Sequence, residues 1–275
     1  MGGITPSIGQ GGRMKRGEIL LLIVAIAAVI RLWGLGEKSI WHDEAFTLLV
    51  AQHSLGEIPG MILRSENHPP GGYFLFHLWM RMGHSPFWLR LPSALFGILS
   101  VLLLYTLGRP WFRERTSLVA ALLLALNGYH VFYSQEVRNY TLGIFFVIPI
   151  LFLGFRLVER EATAGETAPG RFFLRDYGVL FLWCALALYV EYMTVFPMIL
   201  LGIWFLLRVR RPGASWVRFL LFGGVVALAF LPWVWFMSGK LTRVVGESFW
   251  LSPPTLGDLA TAVEFLVCGY PFASF

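Results

Sequence analysis

Long apolar runs broken by short polar clusters dominate the chain. Seven of them suit a bilayer core, which takes about 20 apolar residues of helix, or fewer where aromatics and cations flank the run. They are Ile19–Leu35, Phe87–Leu107, Leu118–Tyr133, Tyr140–Phe155, Tyr177–Val190, Tyr192–Leu207 and Phe219–Met237. The first also reads as a signal peptide, since Arg13, Lys15 and Arg16 precede a short apolar run containing Ala25, Ala27 and Ala28. Six further runs follow it, so a cleaved leader is unnecessary. Only Glu191 separates the fifth run from the sixth. A merged span would exceed any bilayer, so a tight turn is expected there.

Between the first two runs lies a loop, Gly36–Pro86, of roughly 50 residues, and loops of that length inside a compact protein usually carry function. Two stretches in it read as helices lying on the membrane. Over Asp43–Ser54, the residues Phe46, Leu49, Val50 and His53 share one face at helical spacing. Over Tyr73–Met82, nearly everything is apolar except a stripe of Tyr73, His77 and Arg81, and the stretch is too short to span. Pro69-Pro70-Gly71-Gly72 forces a turn between them.

The expected class is therefore an all-α polytopic membrane protein of about seven spans, with interfacial helices in a long first outer loop. Residues 1–17 form a tail, 18–36 the first helix, 37–86 the loop, 87–237 helices two to seven, and 238–275 a second outer segment. The chain stops at Phe275 without a closing helix, which reads as the first seven helices of something longer.

Composition agrees: 57% of residues are apolar, 14% are charged, and the mean hydropathy is +0.67. A soluble domain carries about a quarter charged residues to hydrate its surface. The net charge of +6 would suggest nucleic acid in a soluble protein, but here it follows topology. With the N-terminus cytoplasmic, 14 of the 22 basic residues and 6 of the 16 acids fall inside. Nucleic acid is excluded as a partner, and membrane lipids take its place. The Gly9-Gln10-Gly11-Gly12 stretch has no strand before it, so it gives no support to nucleotide binding. Cys184 and Cys268 fall in a span and an outer segment, which argues against a disulfide.

Three polar groups fall on the outer side. Trp41-His42-Asp43-Glu44 follows the first run, and adjacent carboxylates on a helix point about 100° apart, so only one can face a given site. Asp43 can equally cap the first interfacial helix while Glu44 favours its first turn. Asn67-His68-Pro69-Pro70 holds a histidine on a preordered extended backbone, which suits either a ligand contact or an ordinary loop. Tyr133-Ser134-Gln135-Glu136-Val137-Arg138-Asn139-Tyr140 places Glu136 and Arg138 at the bilayer edge, where charge is expensive. A local ion pair is the alternative there, and Glu191 presents the same choice. The sequon Asn139-Tyr140-Thr141 lies too close to the membrane for glycosylation.

Taken in order, Trp-x-Asp-Glu, His-Pro-Pro, Arg90-Leu91-Pro92-Ser93-Ala94-Leu95-Phe96-Gly97 and Tyr-Ser-Gln-Glu-x-Arg-x-Tyr resemble the GT-C glycosyltransferases. The nearest group is family 39 and its bacterial protein-mannosyltransferase-like relatives, which are also similar to the lipid A aminoarabinose transferases. The resemblance covers residues 17–257, including Phe249-Trp250-Leu251-Ser252-Pro253-Pro254. It implies a sugar donor on polyprenyl or dolichyl phosphate, a protein, lipid or glycan acceptor, and inversion at the outer face of a plasma membrane. Asp43 would be the general base, with Glu44 carried over beside it. Arg138 would hold the leaving phosphate, followed by His68 and Arg64, with Gln135 and Tyr140 as further substrate contacts. Glu136 would orient Arg138 or join Asp43 on a divalent metal ion. A transporter or flippase, or an inactive membrane scaffold, is the alternative. A transporter would place broken or charged helices at the midplane in matching halves, and no such repeat is present.

Overall fold

A computed structural model of the chain describes residues 15–65, 68–163, 170–210 and 213–246. Among them are eleven α-helices and no strand: α1 (Arg16–Leu32), α2 (His42–Ala51), α3 (Ile58–Ser65), α4 (Gly71–Met80), α5 (Pro86–Gly108), α6 (Glu114–Leu126), α7 (Gly128–Ser134), α8 (Tyr140–Thr163), α9 (Gly170–Val190), α10 (Val195–Arg208) and α11 (Ala214–Gly246). Each of the seven apolar runs becomes helical. By length and composition, however, α5, α8 and Ala214–Gly239 of α11 qualify as membrane spans, and α6 with α7 makes a fourth if the pair, bent by 58°, counts as one. Among the described residues, three helices, or four spans with the bent pair, thus have the length and composition to cross a bilayer, while α1 and α10 have 17 and 14 residues. The Phe249–Pro254 motif, Asn67 and most of the Ala162–Gly170 linker lie outside the described residues.

Helix boundaries follow local chemistry. α1 ends where Gly34 adopts a left-handed φ of 64°, a conformation that glycine tolerates without steric cost. The Ser85 hydroxyl caps α5 by accepting from the Trp88 N–H, and Pro86 fills the first turn, where a missing N–H costs nothing. The break after α6 sits at Asn127, whose backbone is extended and whose side chain accepts from the His130 N–H at 2.8 Å. At the turn expected between the fifth and sixth runs, Glu191 caps a short 3-10 turn, Tyr192–Thr194, through the Met193 N–H.

Pro92 has a further consequence inside α5. It has no N–H to give to the carbonyl four residues back, so the Trp88 oxygen is left for another donor. The Trp79 indole of α4 supplies it at 2.8 Å, the Trp88 indole returns the bond to the Trp79 oxygen at 3.3 Å, and the rings stack at 4.8 Å.

α5 is central. It packs on α1 and α6 on one side and on α8 on the other, while α9 and α10 flank α8 and α11 rests on α9. Ala27, Val101, Ala121 and Ala125 form the first core, and Ile150, Leu157, Leu180, Leu201 and Phe205 the second. An open apolar groove of about 590 Å³ runs between α9, α10 and α11, with Leu188, Met198, Phe222 and Phe230 on its walls and Tyr192 among its lining residues.

The long loop folds into three helices, one more than expected, because α3 uses Ile58 and Ile62 against α2, α4 and α11. The buried face of α2 comprises Thr47, Leu48, Val50 and Ala51. Leu49 is 57% exposed and His53 lies beyond the helix end, which corrects the face expected from spacing. In the stripe on α4, His77 turns towards α2, its Nδ1 bonding the Ala51 oxygen at 2.9 Å, while the exposed Arg81 donates to His77 Nε2 at 3.0 Å. At the start of α4, a Cβ on Gly71 would meet the Tyr189 carbonyl at 2.6 Å, so only glycine lets α4 approach the end of α9 this closely.

Arg90 of α5 ties the loop to the bundle. It is 2% exposed and uses all five of its N–H donors. Two go to the Glu44 carboxylate at 2.8 and 2.7 Å, and three go to the Leu35, Lys38 and Ser39 carbonyls at 2.9–3.0 Å. Removing one member of such a pair strands a buried charge. Glu44→Met and Arg90→Met should each lower the unfolding free energy by about 3–5 kcal/mol. The double variant should lose clearly less than the sum, as measured by denaturation in detergent. Strict additivity would show that the two side chains are not coupled.

Candidate active site

The site forms where the N-terminal turn of α2, the residues preceding α4, the α7–α8 loop and the turn after α9 meet. Trp41 occupies the N-cap of α2, which puts Asp43 and Glu44 at the second and third helical positions. The cap contact comes from Glu44, which accepts the Trp41 N–H at 3.3 Å, and not from Asp43. The expected divergence of the two carboxylates is present. Glu44 is fully buried on Arg90 and accepts the Val137 N–H at 2.9 Å, whereas the Asp43 side chain is 42% exposed beside His42. With every acceptor position occupied and no exposure, Glu44 shapes the site instead of contacting substrate.

Arg138 is 6% exposed and sits directly over the start of α2. Its guanidinium donates to the Asp43 backbone oxygen at 3.3 Å, to the Thr47 hydroxyl at 3.1 Å, to the Tyr140 hydroxyl at 3.3 Å and to His68 Nε2 at 3.4 Å. It also lies 5.4 Å from the Tyr140 ring centroid. Because Arg138 can only donate, His68 Nε2 accepts, and the ring proton sits on Nδ1. That nitrogen faces Glu191 Oε2 at 3.4 Å, within ion-pair range but without hydrogen-bond geometry. Glu191 also accepts from the Asn139 amide at 3.0 Å, and Asn139 donates to the Val190 oxygen at 2.7 Å. His68, Arg138 and Glu191 thus form one row, and the Tyr140 and Tyr192 rings stand 6.2 and 6.0 Å from the His68 ring.

Two further residues expected to touch substrate sit elsewhere. Gln135 donates to the Ile30, Arg31 and Trp33 carbonyls at 3.0–3.4 Å and so closes the end of α1. Arg64 is exposed at the C-terminal end of α3. Spacing also left several positions without a role. Arg90 holds Glu44, Ser93 bonds the Arg138 carbonyl at 3.1 Å, and Thr47 and Asn139 hold Arg138 and Glu191. For Arg90, Ser93 and Thr47 the signal was a polar residue within an apolar stretch.

Glu136 is 6% exposed, and its Oε2 has no hydrogen-bond partner among the described residues. Burial, with the negative charge of Glu44 adding to it, pushes its carboxyl up to about 8. Among the described residues, no group of three or more His, Cys, Asp or Glu side chains gathers into a metal cage.

A family model described as dolichyl-phosphate-mannose-protein mannosyltransferase matches residues 67–236, more than half of the chain. No match is found among curated proteins. The S. cerevisiae protein O-mannosyltransferase Pmt1–Pmt2 complex bound to the sugar donor aligns with a TM-score of 0.55 and 21% identity, over 82% of this chain and 32% of that one. The Archaeoglobus fulgidus oligosaccharyltransferase in its apo form aligns with a TM-score of 0.59 and 14% identity, over 94% and 37%. At such identities the likeness is one of fold, the GT-C membrane fold, and this chain spans about a third of either matched chain.

The buried carboxyl of Glu136 makes stability depend on pH. Its folded pKa lies above the ordinary carboxyl value of 4.5, so its contribution is complete below about 4.5 and is lost as pH rises through about 8. Relative to wild type, Glu136→Gln should flatten the fall in stability between those two values. Parallel denaturation profiles for the two proteins would refute the burial effect.

Proposed function

Because the chain belongs to the dolichyl-phosphate-mannose-protein mannosyltransferase family, we propose that it is the site-bearing part of a membrane glycosyltransferase using a sugar linked to a polyprenyl or dolichyl phosphate. The observation that carries this reading is the pairing of a half-exposed carboxylate, Asp43, with a buried guanidinium, Arg138, that bonds the backbone of the same residue. Base and phosphate anchor therefore stand side by side. The acceptor is a protein, lipid or glycan hydroxyl.

In the reaction, Asp43 takes the acceptor proton, and the acceptor oxygen attacks the anomeric carbon from the face opposite the phosphate. The bond between that carbon and the phosphate oxygen breaks, and the lipid phosphate leaves with the electron pair, so the anomeric configuration inverts. Arg138 binds the phosphate oxygens as they gain charge, exchanging its 3.1–3.4 Å bonds for charge-assisted ones. His68 accepts from Arg138 through Nε2 and so orients the guanidinium, with its own ring held between Arg138 and Glu191. The Tyr140 and Tyr192 rings border the position of the sugar, and the apolar groove that includes Tyr192 suits the lipid chain. No nucleotide fold is needed, because the donor arrives from the bilayer. We place the site on the extracytoplasmic side of a bacterial or archaeal plasma membrane. The convergence of the loop, the α7–α8 connection and the Glu191 turn supports that placement, since the arginine distribution puts all three on one side.

Release of polyprenyl phosphate from a labelled lipid-linked sugar by the full-length protein tests the reading. Asp43→Asn should reduce turnover by about 10²–10⁴-fold, the usual worth of a general base. Equal turnover would remove Asp43 from that role. Arg138→Ala should raise the donor KM by about 10–100-fold, while Arg113→Ala on the opposite face should leave it within about twofold. Equal effects of the two would refute the assignment of the phosphate site.

A further inference from the structure

A second saturated arginine lies deeper in the bundle. Arg31 of α1 is 0% exposed, and no carboxylate bonds it among the described residues. Its five N–H donors go instead to five neutral acceptors. Nη1 donates to the Ala27 and Ala125 carbonyls at 3.2 and 2.9 Å, and Nη2 donates to the Leu124 carbonyl at 3.2 Å and to His130 Nδ1 at 2.8 Å. Nε donates to the Ser134 hydroxyl at 3.2 Å. An unpaired cation in such a place is costly and calls for a reason.

The acceptors supply that reason. Leu124 and Ala125 occupy the last turn of α6, where the break at Asn127 deprives carbonyls of their helical donors. His130 and Ser134 lie in the first and last turns of α7, and Ser134 donates onward to the His130 oxygen at 2.6 Å. One guanidinium therefore grips both sides of the break and both ends of the short helix after it. Gly97 of α5 makes the room, since a Cβ there would lie 2.2 Å from the Ser134 hydroxyl and 3.1 Å from Arg31 Nε. The residue after Ser134 is Gln135, which hooks the carbonyls ending α1. Next come Glu136, Val137, which bonds Glu44, and Arg138.

We propose that Arg31 is a positioning residue for the donor site. Acting through α7, whose axis it fixes at 58° to α6, it sets where Arg138 meets the lipid phosphate without touching substrate itself. This rests on the reading of Arg138 as the phosphate anchor. A fork of five donors explains the choice of arginine, because an ammonium has three donors at one point and cannot span the break.

The test uses the full-length protein with dolichyl-phosphate mannose as donor, and compares Arg31→Lys, Arg31→Gln and Gly97→Ala with wild type. Amide exchange over residues 134–139 should accelerate by about tenfold or more in each variant, while α9 and α10 exchange as in wild type. The donor KM should rise by about tenfold, with kcat changed less than threefold. Unchanged exchange at 134–139 in a folded variant overturns the proposal. So does exchange that rises evenly across the bundle, or the failure of all three variants to fold, since Arg31 would then serve the whole fold. A wild type that turns over no donor sinks the proposed function, while the exchange measurement still decides the role of Arg31.

Discussion

The contact between Arg90 and Glu44 is the constraint from which the site follows. A loop of three short helices, with little core of its own, must be held at a fixed height on the bundle, and a single guanidinium in α5 does this by gathering three loop carbonyls and one carboxylate. The same carboxylate accepts the Val137 N–H from the far side. α2 and the α7–α8 loop are thereby referred to one point. Asp43 and Arg138 are each one residue away from an atom of that network, so their mutual position is inherited from it.

The two buried arginines use the same capacity in different ways. Arg90 neutralises its charge on a carboxylate and organises what lies outside the bundle. Arg31 has only dipoles around it, and it organises the place where the bundle helix itself breaks. Arg31 exploits the fact that a helix interrupted in an apolar setting leaves carbonyls that water cannot reach, whereas Arg90 gathers carbonyls of the loop after α1. Five directional donors on a planar group are an economical way to satisfy several of them at once.

Much of this was legible in the sequence because it depends on period and sign. The apolar runs marked every long helix, Pro69–Gly72 marked the turn before α4, and Glu191 marked the turn after α9. The motif residues Asp43, His68, Arg138 and Tyr140 converge as a set. What stayed hidden depends on direction. Periodicity could not tell Glu44 turned inward from Asp43 turned outward, nor show Gln135 folded back on α1. α3 escaped because its two buried isoleucines are too few to declare a period. Arg31 escaped because a lone cation at the end of an apolar run looks like an interfacial anchor, and only the break at Asn127 gives it partners.

The paired indoles between α4 and α5 carry a consequence for how such sequences change over time. The Trp79 N–H occupies a carbonyl that is vacant only because position 92 is proline. A chain that restored an ordinary residue at 92 would let α5 reclaim that oxygen and leave the Trp79 indole without its acceptor. A chain that lost the indole first would leave the oxygen unsatisfied. The two positions therefore drift together or not at all, although one lies in a loop helix, the other in the central helix, and thirteen positions separate them.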